Sequence, residues 1–183
     1  MAEPGKSNLV LIGYRGSGKT TVGRAAAWRL GYAFVDIDER IVAEAGITIA
    51  EIFAKEGEAG FREREARVVR EVMNGRRQVV AMGGGAVLRA DSVECMRRGG
   101  FVVWLSAPVE VLWERIHRDA SSAANRPALT SSTGMDEVRQ VLAAREPRYR
   151  IAAHVVIDAS TDNIDRKAAA VVAAYTSTGT SAP

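Results

Sequence analysis

Five short stretches of this chain are almost continuously apolar, and longer stretches of mixed character separate them. The runs fall at residues 8–12, 33–35, 78–82, 101–105 and 154–157. They do not alternate apolar with polar, as a strand with one wet face would. Continuous Val, Leu, Ile and Ala marks strands buried on both faces, the kind from which parallel sheets are built. Between the runs, hydrophobic positions recur at helical spacing, as at Phe61, Val68, Val69 and Val72. End signals bound these helices. One runs from Gly18 to Leu30 and stops at Gly31, and Thr48-Ile49-Ala50-Glu51 is a capping box that opens a short one. Gly75 ends the element containing Phe61, and Asp91 with Glu94 caps a helix closed by Gly99-Gly100. Pro108 opens a helix through Arg115, another runs from about 135 towards Pro147, and the last spans about 161–175. The alternation predicts a three-layer α/β fold in one domain of 183 residues, with helices on both faces of the sheet.

Two stretches lack any apolar period. Residues 119–134, rich in Ser, Thr and Ala around Asn125-Arg126-Pro127, have the length and composition of a lid loop. Residues 176–183 are expected to be a disordered tail. Composition narrows the class further. Hydrophobic residues at 47% and charged residues at 26% fit a globular protein in water. The net charge of +3 comes without a dense basic run, so a nucleic-acid partner is not expected. No run approaches the length of a membrane span, and the polar first eight residues do not read as a secretory signal. The expectation is a cytoplasmic, monomeric protein. Its single Cys95 excludes an internal disulfide and a cysteine metal cage.

Chemistry enters where the strands end. The segment Gly13-Tyr14-Arg15-Gly16-Ser17-Gly18-Lys19-Thr20 follows the first apolar run and precedes a helix. In that setting the pattern cradles a polyphosphate. Backbone N–H groups meet phosphate oxygens, the lysine neutralises the β and γ groups, and the threonine hydroxyl suits Mg²⁺. After the second run come Asp36 and Asp38, which would share a face if the strand continued through them. One could serve the Mg²⁺ shell and the other accept a proton from a hydroxyl; the plainer alternative makes Asp38 a helix N-cap. Asp36 is the preferred metal-shell residue, on the expectation that its strand neighbours the first. After the third run, Gly83-Gly84-Gly85 leaves bare backbone where an anion could approach, or simply a tight turn.

Three arginines complete the set. Arg62 lies on a helix with a buried stripe, with Glu58 and Glu65 in ion-pair reach. Arg126 sits in the lid, where it could fold over a transferring phosphate. Arg145 either serves a ligand or complements a helix C-terminus. His117 and His154 lack a metal-ligand partner at helical spacing and read as structural, and Trp28, Trp104 and Trp113 read as packing residues.

Together these pieces resemble the shikimate kinase family, of the nucleoside-monophosphate-kinase-like group. The resemblance rests on the phosphate loop, Val35-Asp36-Ile37-Asp38, the 48–58 segment, Phe61-Arg62-x-x-Glu65, Gly83-Gly84-Gly85, Arg126-Pro127 and Arg145-x-Pro147-x-Tyr149, in order from residue 9 to about 158. It implies a P-loop kinase fold with sheet order 2-3-1-4-5 and ATP-dependent phosphorylation of the 3-hydroxyl of shikimate. It also implies an ATP site on Gly16, Ser17, Gly18, Lys19, Thr20 and Thr21. Asp38 would orient the hydroxyl, as a base or by position alone. Arg62 and Arg145 would grip the substrate carboxylate beside Gly83, Gly84 and Gly85. Lys19 and Arg126 would steady the phosphoryl group, while Thr20, and Asp36 through water, would hold Mg²⁺. The segment between Arg115 and Arg126 is longer than the family's usual length, so Arg118 or Arg115 is the adenine contact. A kinase for another hydroxy acid, such as gluconate, is the alternative enzyme. A nucleotide switch without phosphotransfer is the alternative class, although the chain has no Asn-Lys-x-Asp base-reading motif.

Overall fold

The computed structural model describes residues 7–118 and 134–178. Five parallel strands form one sheet: β1 (Asn8–Ile12), β2 (Ala33–Asp36), β3 (Gln78–Ala81), β4 (Gly100–Ser106) and β5 (Val155–Asp158). Their order is β2-β3-β1-β4-β5, as the resemblance implied. Val10 lies between Val80 and Val102 in register. The continuous burial read from the sequence holds for β1 and nearly throughout β3 and β4. It fails on β2 and β5 at the sheet edges, where one flank has no neighbouring strand and helix cover is incomplete.

Seven helices connect the strands among the described residues: α1 (Lys19–Leu30), α2 (Ile37–Ala45), α3 (Ile49–Met73), α4 (Ala90–Gly99), α5 (Val109–Arg118), α6 (Met135–Ala152) and α7 (Ile164–Thr176). A short 3-10 turn, Ala86–Leu88, follows the glycine triplet. β1 sorts its side chains by parity. Leu9 and Leu11 join the core under α1, α5 and α7, while Val10 and Ile12 join the core under α2, α3 and α4. Helix α6 serves both, with Val138 and Val141 in the first and Tyr149 and Ala152 in the second. At the other end of the sheet, buried Asn8 donates to the carbonyls of Gly75 and Gly99 and accepts from the N–H of Gln78, so its amide is satisfied.

Several ends differ from expectation. The capping box at Thr48 and Glu51 is present, but its helix continues through a break at Gly57 (φ 70°, ψ −178°) into the Phe61 helix. Asp91 does not cap α4. Its carboxylate is taken by Arg89 and the N–H of Ser92. Helix α5 reaches Arg118, and α6 runs past Pro147 to Ala152. Trp104 packs in the core, but Trp28 is 84% exposed on α1 and lies outside it. His154 accepts the N–H of Val102 and stacks on Phe101, and His117 folds back on Trp113, both structural roles. No helix among the described residues is long and apolar enough to cross a membrane.

Candidate active site

Ligands of such sheets bind beyond the carboxyl ends of the strands, and two adjoining cavities lie there. The first, about 870 Å³, is formed by the loop between β1 and α1. Gly16 (φ 80°) and Gly18 (φ 89°) hold left-handed conformations that only glycine adopts without strain, and Gly18 is the N-cap of α1. Lys19 Nζ crosses the loop and donates to the carbonyls of Gly13 (2.8 Å) and Tyr14 (2.9 Å). Gly16, Gly18, Lys19, Thr20 and Thr21 line the cavity, and Ser17 is buried within the loop.

Thr20 Oγ1 donates to Asp36 Oδ2 at 2.7 Å. The other Asp36 oxygen accepts the N–H groups of Asp38 and Glu39. Asp36 is therefore the N-cap of α2, and Asp38 sits in the first helical turn. The two carboxylates do not share one face of an extended strand, because the backbone turns helical at Ile37. The reason given for preferring Asp36 also fails, since β2 pairs with β3 and not with β1. Its contact to Thr20 nevertheless puts its carboxylate at the phosphate cavity.

The second cavity, about 530 Å³, lies between the phosphate loop, α3, the glycine triplet and α6. Phe53, Phe61 and Ile49 supply its apolar wall. Arg62 Nη1 pairs with Glu65 Oε2 at 2.7 Å, and its Nη2 lies 3.3 Å from Glu58 Oε1. The ion-pair alternative for Arg62 is thus realised, yet the pair with Glu65 is buried and faces the cavity. Glu65 is 1% exposed, and its Oε1 has no hydrogen-bond partner among the described residues. Burial pushes its carboxyl above the usual range, with Arg62 opposing.

The triplet has a use the sequence did not disclose. A methyl on Gly83 would come within 2.5 Å of Glu65 Oε1 and 2.9 Å of Asp38 Oδ1, and one on Gly85 would strike the Arg62 guanidinium. These two glycines make room for the site's own side chains. The Gly84 carbonyl accepts from Arg145 Nη1 (3.2 Å) and from the Tyr149 hydroxyl (2.6 Å). Arg145 is buried in the body of α6, so it does not complement a helix C-terminus. Burial raises the Tyr149 and Tyr14 hydroxyls above their ordinary pKa.

Arg115 lines the phosphate cavity and donates to the carbonyls of Ala159, Ser160 and Thr161. Arg118 is exposed and pairs with Glu114 and Asp162. Arg126 and the lid segment lie outside the described residues. Sequence reasoning missed Tyr14 and Arg15 as cavity groups and Tyr149 as the donor that holds the Gly84 carbonyl. For Tyr149, its spacing of four from Arg145 was the available signal.

The comparisons agree with this arrangement. The shikimate kinase family model matches residues 15–176. A shikimate kinase of Symbiobacterium thermophilum is 51% identical over 150 residues, 82% of this chain and 85% of the relative. One of Rhodopirellula baltica is 44% identical over 158 residues, 86% and 84% of the two chains. The structure of shikimate kinase from Acinetobacter baumannii in complex with shikimate has a TM-score of 0.87 to this fold at 39% identity, covering 93% of each chain. With a phosphate-loop cavity and an arginine-rich acceptor cavity meeting beyond the strand ends, and with relatives matched over most of its length, the chain belongs to the shikimate kinase family.

Proposed function

We propose that the cleft transfers the γ-phosphoryl group of ATP to the 3-hydroxyl of shikimate, giving shikimate 3-phosphate and ADP. The observation that carries this reading is that Asp38 lines both cavities, so a hydroxyl held against it faces the phosphate loop. Asp38 orients the hydroxyl and takes up its proton as the new P–O bond forms. Arg62 and Arg145 hold the substrate carboxylate, a planar anion that guanidinium forks match. Gly83 and Gly85 leave space for this pair of walls, and Gly84 brings backbone to the ring.

Lys19 leaves its two loop carbonyls to meet the β and γ phosphates. Ser17, Thr20 and Thr21, with the loop glycines, complete the cradle at the N-terminus of α1. Thr20 and Asp36 supply hard oxygen donors side by side, which fits Mg²⁺ held by the threonine directly and by the aspartate through water. Mg²⁺ held there would neutralise charge on the phosphates. Arg126 is assigned to the phosphoryl group from the lid. Of the two candidates for the adenine side, Arg115 is favoured by its place in the phosphate cavity, and Arg118 is the alternative. One chain supplies both cavities, which supports a monomer, and a lone free thiol at Cys95 suits a reducing, cytoplasmic setting.

A coupled assay following ADP release with ATP, Mg²⁺ and either shikimate or gluconate tests this reading. Turnover with shikimate is the expected result. Turnover with gluconate and none with shikimate would overturn it.

A further inference from the structure

Three residues line both cavities: Asp38, Gly84 and Arg15. The first two have assigned roles, but Arg15, at a variable position of the phosphate-loop pattern, does not. Its side chain is only 16% exposed, and its nearest acidic group, Glu137 Oε2 on the first turn of α6, is 3.9 Å away, too far for a hydrogen bond. Its Nε is buried without a hydrogen-bond partner among the described residues. The guanidinium lies 5.8 Å from the Tyr14 ring centroid, and Arg145 flanks the same ring. A cation so placed is kept near the wall by packing and is only loosely neutralised.

We propose that Arg15 is a further catalytic residue, contacting the phosphoryl group as it crosses from the phosphate cavity to the acceptor hydroxyl. The proposal rests on the phosphotransfer reading above. In that reaction the bond from the γ-phosphorus to the β–γ bridging oxygen breaks while a bond to the hydroxyl oxygen forms. The proton passes to Asp38 and the bridging oxygen leaves on ADP. The group in transit lies between Lys19, on the leaving side, and Asp38, on the attacking side. Arg15 belongs to the wall that divides the two cavities, so its donors face the equatorial oxygens, where charge is spread in the transition state. Carboxylate binding is a poorer use for it, because Arg62 and Arg145 line the acceptor cavity and not the phosphate cavity, whereas Arg15 lines both.

The test compares wild type, Arg15→Met and Arg15→Lys. Methionine keeps an apolar stem against Tyr14, and lysine keeps the charge without the fork. Steady-state kinetics should show kcat reduced about 10²–10³-fold in Arg15→Met, with the KM for shikimate changed less than about threefold. Arg15→Lys should fall between the two. Binding of MgADP alone should stay within about twofold of wild type. Binding of MgADP with aluminium fluoride and shikimate, a mimic of the group in transit, should weaken in parallel with kcat. Three results overturn the proposal: unchanged kcat in both variants, a raised shikimate KM at unchanged kcat, or equal weakening of MgADP with and without fluoride. If Arg15→Met fails to fold, the same measurements on Arg15→Lys decide. Wild type is assayed alongside, so absent shikimate turnover there would count against the phosphotransfer reading, and a normal variant beside an active wild type counts against Arg15 alone.

Discussion

Replacing Gly83 by alanine adds one methyl group where two carboxylates, those of Glu65 and Asp38, converge. The backbone at Gly83 is not in the left-handed region, so alanine fits its conformation, and the whole effect is steric. The new Cβ would sit 2.5 Å from Glu65 Oε1 and 2.9 Å from Asp38 Oδ1, closer than such contacts occur. What must move are two carboxylate tips, not backbone. The stability cost therefore lies at the low end for an overpacked site, about 1 kcal/mol, or a melting point about 2–4 °C lower. The functional cost is larger. Glu65 is locked against Arg62 at 2.7 Å, so its displacement carries the arginine with it, while Asp38 is pushed off the hydroxyl. Misplacement of about 1 Å costs on the order of 10²-fold in rate. Gly83→Ala should thus melt close to wild type while kcat/KM for shikimate falls on the order of 10²-fold. Gly84→Ala is the internal control for the melt, because its nearest contact would be 3.6 Å, an ordinary distance. Melting curves and steady-state kinetics on both variants check the reasoning. A Gly83→Ala enzyme with kcat/KM within threefold of wild type, a bound set by the additivity scatter of such effects, would refute it.

Asp38→Asn should lower kcat by about 10²–10⁴-fold while ATP affinity, measured by titration calorimetry, stays unchanged; near-normal turnover would remove the role assigned to Asp38. Arg62→Ala should raise the KM for shikimate at least tenfold and also destabilise the fold, because it leaves the Glu65 carboxylate buried without its partner, a loss of about 3–5 kcal/mol for a broken buried pair. Glu65 itself should give a pH signature. Its carboxyl is raised in the folded state, so the native protein binds that proton more tightly than the unfolded chain. Its stabilising contribution is full below the unfolded value near 4.5 and is lost as pH rises through the folded value. The stability difference between wild type and Glu65→Gln should therefore shrink for wild type as pH rises through that window, read from urea melts, and a difference that does not change with pH would refute the shift. Lys167 is buried on α7, and desolvation, followed by Arg115, holds its ammonium below the ordinary lysine value. Its charge opposes folding at neutral pH, and that penalty begins to fall once pH passes the folded value and is gone above the unfolded value of 10.5, so Lys167→Met should be more stable at pH 7; a lower melting point would show that the lysine is adequately paired.

Much of this was legible because the central strands and the phosphate loop depend on local rules. Continuous apolar runs located all five strands, and the phosphate-loop pattern located the turn in which Gly16 and Gly18 prove to be left-handed. The misreadings have different physical causes, and only that of the glycine triplet lies across the cleft. Asp36 was placed by a strand's two-residue period, but its side chain captures two N–H groups and starts a helix, a local choice that tertiary contact to Thr20 reinforces. The triplet was read as space for a ligand, whereas Gly83 and Gly85 are opposed by Glu65, Asp38 and Arg62 from other elements. Trp28 looked like core because aromatic size predicts burial, yet its position on α1 faces water.

Helix α6 explains why the acceptor side is precise although the segment before it was read as a lid. Its first half is anchored by Val138 and Val141 in one core, and its second half by Tyr149 and Ala152 in the other. Both sheet faces therefore fix its position over the strand ends. Its first turn presents Glu137 to Arg15, and between the anchors it presents Arg145 to Gly84. Tyr149 does both jobs, packing on Trp104 while its hydroxyl holds the Gly84 carbonyl. The glycine triplet is thus tied to a helix that neither core can release without the other, and the arginines inherit that rigidity. A substitution at Tyr149 should consequently act on stability and on shikimate binding together, whereas one at Arg15, which stands on the loop and meets α6 only through a long ion pair, should act on rate alone.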